Sequence, residues 1–161
     1  MVAIPKVRRP IDWLIVHCAS TKKSMDIGAS DVDSWHRAKG WNGIGYNFFI
    51  KFDGTIERGR NLHNYGAHTV GKGANKRSIG ICIEGGMGED NEDKDTLTVE
   101  QWRSIIRIFC SAKKHYPQIK LAAHNQFDKK PCPCFDIREY ADKHGYSLVT
   151  LQDEPLVKLP K

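Results

Sequence analysis

The chain has 161 residues, 40% of them hydrophobic and 27% charged, which suits one globular domain with a single core and leaves little room for a second. Lysine and arginine number 25 against 19 acidic residues, and the resulting formal charge of +6 favours an acidic or polyanionic partner. No apolar run approaches the roughly 18 residues of a membrane span, and the basic opening (Lys6, Arg8, Arg9) lacks the apolar stretch of a secretory signal, so the expectation is a cytoplasmic chain without membrane insertion. Five cysteines, odd in number and scattered, speak for reduced thiols and metal ligation over a disulfide framework.

Residues 1–10 read as a basic arm, 11–145 as the folded domain and 146–161 as a tail. Ile11 to His17 is nearly all apolar, the pattern of a strand buried on both faces, with His17 where strand meets loop. Ser30 followed by Asp33 resembles a capping box and Gly40 a stop, which predicts a short helix over 31–39 with Val32 and Trp35 turned inward. Tyr46 to Phe52 reads as a strand, Asp53-Gly54 as a hairpin turn and Thr55 to Arg58 as the returning strand. The stretch 61–76, glycine-bearing and without period, reads as a long loop. Ser78 to Glu84 predicts a central strand, followed by an acidic loop over 85–97. Thr98 and Gln101 form a second capping box, and Trp102, Ile105, Ile106 and Phe109 follow at helical spacing to about His115. Ile119 to Ala123 is a short strand ending at His124, and Asp136 with Glu139 opens a last helix that stops near Gly145. This irregular alternation predicts an α/β domain, a mixed central sheet with helices on its faces.

His17 and His124 both fall at predicted strand ends, and Cys132 follows His124 through a turn-rich segment. Strand ends on one edge of a sheet converge, so two imidazoles and a thiolate can meet there, a donor set that favours zinc over calcium or magnesium. Three protein ligands leave a fourth tetrahedral position for water, the arrangement of a catalytic site. By spacing alone, a strand-end histidine is more often a hydrogen-bonded structural residue than a metal ligand.

Several segments occur in one order: Ile15-Val-His17-Cys-Ala-Ser20, Gly45-Tyr46-Asn-Phe48, Asp53-Gly54 with Glu57-Arg-Gly-Arg60, Gly66-Ala-His68, Ser78-Ile-Gly-Ile-Cys-Ile83, and His124 leading to Lys130-Pro-Cys132-Pro-Cys-Phe-Asp136. Together they resemble the zinc-dependent N-acetylmuramoyl-L-alanine amidases, a superfamily shared with peptidoglycan recognition proteins, and within it the small single-domain amidase endolysins of T-odd bacteriophages. The resemblance spans residues 11–145, nearly the whole chain. It implies that His17, His124 and Cys132 bind one zinc ion, that Tyr46 and Lys130 are catalytic, and that His68 lines the substrate cleft. It further implies a monomeric lysis enzyme acting on peptidoglycan, made in the host cytoplasm and released by a separate membrane-permeabilising protein. Some phage members also bind and restrain a phage RNA polymerase, and relatives that lack a ligand bind peptidoglycan without cleaving it.

Cys134 departs from the family pattern, where a small non-thiol residue is usual; as a fourth ligand it would give a closed, structural His, His, Cys, Cys site. Cys18 should face away from a metal held by its neighbour His17, since adjacent strand residues point to opposite faces. Cys82 and Cys110 lie in apolar segments and are expected in the core, as are Trp13 and Trp102. His36, His63, His115 and His144 read as surface or hydrogen-bonded histidines, and Trp41, in a glycine-flanked turn, reads equally as a core or a cleft-wall aromatic.

Overall fold

The computed structural model describes residues 2–144, so the predicted tail lies outside the described residues. Five strands form one sheet in the order β3-β2-β4-β1-β5: β1 (Trp13–Cys18), β2 (Phe48–Ile50), β3 (Ile56–Arg58), β4 (Ser78–Ile83) and β5 (Lys120–Ala123). β1 pairs in parallel with both β4 and β5, β2 pairs in parallel with β4, and only the hairpin partners β2 and β3 run antiparallel. The sheet is therefore mixed, with β4 at its centre. The helices are α1 (Ala29–Ala38), α2 (Ala74–Arg77), α3 (Val99–Lys113) and α4 (Ile137–Lys143).

One face of the sheet carries the main core. Leu14, Val16 and Cys18 of β1 and Ile79, Ile81 and Ile83 of β4 meet Trp102, Ile105, Ile108 and Phe109 of α3. Full burial of each such side chain contributes about 1.5–3 kcal/mol. The predicted capping box of α3 forms in full, with Gln101 N–H donating to Thr98 Oγ1 (3.0 Å) and Thr98 N–H to Gln101 Oε1 (3.0 Å). The opposite face packs Phe49 and Cys82 under Val32 and Ile44, and this thinner side holds the site.

Several local expectations are corrected. α1 is capped by Gly28, whose N–H donates to Asp31 Oδ2 (2.8 Å), instead of by Ser30. Its inward positions are Val32 and His36, one helical turn apart, which leaves Trp35 39% exposed at the border of a groove. Cys110 is exposed, because it belongs with Arg103 and Arg107 to the outer stripe of α3. β2 is only three residues long and starts after Tyr46, and a short helix, α2, interrupts the predicted loop. Ahead of β1, Ile4 and Val7 are buried in the main core, Val7 N–H donates to the Tyr116 hydroxyl (2.7 Å), and Arg9 Nη1 donates to the carbonyls of Lys76 (3.0 Å) and Ser78 (2.9 Å).

Candidate active site

The sheet register assembles the site. β1 and β5 are parallel with Val16 opposite Ala123, so the next residue of each chain segment, His17 and His124, emerges side by side. Their ring centroids lie 4.4 Å apart. The chain then makes a 3-10 turn over His124–Gln126, and Asn125 N–H donates to the Cys132 carbonyl (2.8 Å), which folds the Cys132 segment back onto the strand ends. One ligand atom from each of His17, His124 and Cys132 falls within 4.8 Å of the others. Cys134 is not part of this cluster: its Sγ lies 3.4 Å from the Gly86 carbonyl and 3.9 Å from Cys18 Sγ. The cluster thus has three members, and the four-ligand alternative finds no support in the geometry.

These donors fit a metal ion. His17 Nε2 is occupied by His68 Nδ1 (3.0 Å) and Thr69 Oγ1 (3.2 Å), which fixes the ring and leaves its other nitrogen for a ligand. His124 Nδ1 is buried and has no hydrogen-bond partner among the described residues, an arrangement that native proteins avoid unless a ligand completes it. Burial, with His68, His124 and Lys130 nearby, holds the His17 imidazole well below its ordinary pKa. Burial lowers His124 too, reinforced by Lys130 and opposed by Asp128. Both rings are therefore neutral and ready to ligate near pH 7. The contact with Cys18, then burial, pushes the Cys132 thiol far up, so a cation is needed to hold it as thiolate. The Cys18 backbone N–H donates to Cys132 Sγ (3.3 Å) and supports that charge.

The cluster opens into a groove of about 350 Å³ whose walls include Tyr46, Lys130, Trp35 and His36 of α1, and Lys39 just beyond that helix. Tyr46 packs against His17, ring centroids 5.1 Å apart, and burial raises its pKa well above the usual range, so the phenol remains a donor. The Lys130 side chain, 69% exposed, also lines the groove, with Nζ 3.8 Å from Asp128 Oδ2. A larger hollow of about 670 Å³ by Lys6, Arg8 and His63 gathers no set of candidate ligands among the described residues.

His68 makes its contacts with the ligand cluster through His17. It packs against His17, ring centroids 4.9 Å apart, wedged so closely that a Cβ on Gly66 or Gly80 would strike its ring. Burial takes its pKa down to about 3, so it pairs with His17 as a neutral ring. Thr69, His36 and Asp128 were not singled out in the sequence as site residues; the adjacency of Thr69 to His68 was the one available signal. His36 Nδ1 accepts from Gly45 N–H (2.9 Å), and its ring packs between Trp41 and Tyr46, with centroids at 4.6 and 5.7 Å.

Comparison with known proteins agrees with this geometry. The family model described as N-acetylmuramoyl-L-alanine amidase matches residues 7–135. The endolysin of Escherichia phage T7 is 35% identical over 139 residues, covering 86% of this chain and 91% of its own length. The endolysin of Klebsiella phage KP32 is 34% identical over 137 residues, covering 85% and 89%. Among solved structures, the endolysin amidase LysCS from Clostridium intestinale superposes with a TM-score of 0.70 at 29% identity, covering 85% of each chain. Bumblebee PGRP-SA shares the fold, with a TM-score of 0.73 at 24% identity over 91% of this chain and 86% of its own. The match over most of its length places the chain in the N-acetylmuramoyl-L-alanine amidase family.

Proposed function

We propose that the chain is a zinc-dependent endolysin that hydrolyses the amide between the lactyl group of N-acetylmuramic acid and the L-alanine of the stem peptide. The observation that carries this reading is the three-member cluster of His17, His124 and Cys132 opening into a groove that also presents Tyr46 and Lys130. Two imidazoles and a thiolate with one side open suit zinc in a catalytic role. Bound there, zinc supplies Lewis-acid polarisation of the scissile carbonyl and a water acidified to a pKa of about 7.

The chain's own groups do the rest. Lys130 brings an ammonium to the groove, where it stabilises the negative charge that develops on the carbonyl oxygen. Tyr46, held protonated against His17, donates a hydrogen bond to the reacting oxygens. His68 and Thr69 fix the His17 ring and act as positioning residues. The setting that fits is synthesis in a host cytoplasm, followed by access to the wall through a separate membrane-permeabilising protein. Digestion of purified sacculi tests the assignment: an amidase releases stem peptides with free L-alanine amino groups and no new reducing sugars, whereas new reducing ends would make it a glycosidase.

A further inference from the structure

We infer that Cys18 and Cys134 form a redox clasp: a disulfide between them closes when the protein meets an oxidising compartment and pins the metal-bearing segments together. Their Sγ atoms are 3.9 Å apart, in van der Waals contact across a sequence separation of 116 residues. Neither belongs to the ligand cluster, so the pair remains available when His17, His124 and Cys132 are engaged. Each is nonetheless tied to a ligand. Cys18 directly follows His17 on β1, and Cys134 lies two residues beyond Cys132. A bond between them would staple the end of β1 to the segment that carries the thiolate ligand.

The surroundings favour this pair over the alternatives: Cys132 also touches Cys18, but it belongs to the ligand cluster and is engaged in the metal-loaded protein. Cys82 is fully buried on the other face of the sheet, and Cys110 sits on the solvent side of α3. The Cys18 thiol is confined beneath Gly86, where a Cβ on that glycine would collide with it, so Cys18 is held in place toward Cys134. Cys134 is only half-buried and so is the thiol a dissolved oxidant reaches first, while Cys18 is 6% exposed and resolves from within.

The chemistry balances with a small disulfide such as oxidised glutathione as co-reactant. The Cys134 thiolate attacks it, expelling one glutathione thiolate and leaving a mixed disulfide on Cys134. Cys18, losing its proton, attacks the Cys134 sulfur and expels the second. Two protein thiols are oxidised and one glutathione disulfide is reduced to two thiols. Closing so long a loop restricts the unfolded chain, and the native contact requires only a small approach of the two sulfurs. The clasp rests on the proposed function only for its setting, since a lysis enzyme that passes from a reducing cytoplasm to an oxidising envelope would acquire the bond where it works.

The test uses the zinc-loaded, fully reduced chain incubated with oxidised glutathione, followed by alkylation in denaturant and peptide mapping. The expected result is three alkylated cysteines of the five, a Cys18–Cys134 linked peptide, retained zinc and a melting temperature raised by roughly 5–10 °C. Cys134→Ser should stay fully reduced and show no rise, whereas Cys110→Ser should close the bond as the parent does. All five thiols remaining free, or linkage through Cys132 with loss of zinc, would overturn the inference. None of these readouts measures wall hydrolysis, so failure here is distinguishable from failure of the amidase assignment.

Discussion

His17 and His124 stand with ring centroids 4.4 Å apart because β1 and β5 run parallel with Val16 opposite Ala123, where β5 stops while β1 continues through His17 to Cys18 along β4. Two of the three candidate ligands are thus set by β-sheet register, the most rigid device the fold offers, and only Cys132 depends on a loop. A site placed on strand ends keeps its spacing before any metal binds, so binding need not order the two imidazoles.

Substituting any one of His17, His124 or Cys132 by alanine should abolish tight metal binding and activity together, because two remaining ligands do not define a tetrahedral centre. Cys134→Ser should retain both, since that thiol faces Cys18 and Gly86 instead. Elemental analysis of the purified variants beside turnover on peptidoglycan checks the pair of outcomes. A Cys132→Ala protein with full metal and full turnover contradicts the assignment.

Tyr46→Phe and Lys130→Ala should each lower turnover by about 10²-fold or more with metal content unchanged, since losing one donor to a developing oxyanion raises the barrier by about 3 kcal/mol. Saturation kinetics decide. A raised KM with normal kcat would make these residues uniform substrate contacts that bind ground and transition states alike.

Gly80→Ala should destabilise the fold by about 1–3 kcal/mol, because the added methyl meets the His68 ring where neither can move far. Displacing that ring also frees His17 Nε2 from one of its two partners, so metal affinity should fall as well. Chemical denaturation of the metal-free protein together with competition for zinc by a chromophoric chelator reads both effects.

Burial holds His68 at a pKa of about 3 against an ordinary 6.5, so between these values the unfolded chain binds a proton that the folded chain does not. Stability must then fall as the pH drops through that window, by about 1.4 kcal/mol per pH unit for this group. His68→Gln should flatten that acid limb in denaturation curves measured from pH 7 to pH 4. An unchanged slope would show that the ring is not buried as a neutral group.

Much of this was legible in the sequence because its signals are local. Alternating or continuous apolar runs gave β1, β4 and β5, and the Thr98–Gln101 box with its helical apolar spacing gave α3. The ligands were findable because His17 and His124 end such runs. Side-chain direction was less legible. Trp35 was expected inside by hydrophobicity alone, but Val32 and His36 take the inner face of α1, and His36 does so because its ring nitrogen accepts the Gly45 N–H. Cys110 failed for the same reason, since one step around α3 separates core from solvent. The place of His68 against His17 depends on two glycines distant from each other in sequence, Gly66 and Gly80, and no local pattern announces that coincidence.

The most direct measurement compares metal-depleted and zinc-reconstituted protein on purified peptidoglycan, following release of free L-alanine amino groups. The account predicts no release after chelation, full recovery at about one zinc per chain, and no recovery in His124→Ala. Release that persists in the chelated protein would contradict a metal-dependent amidase at this site.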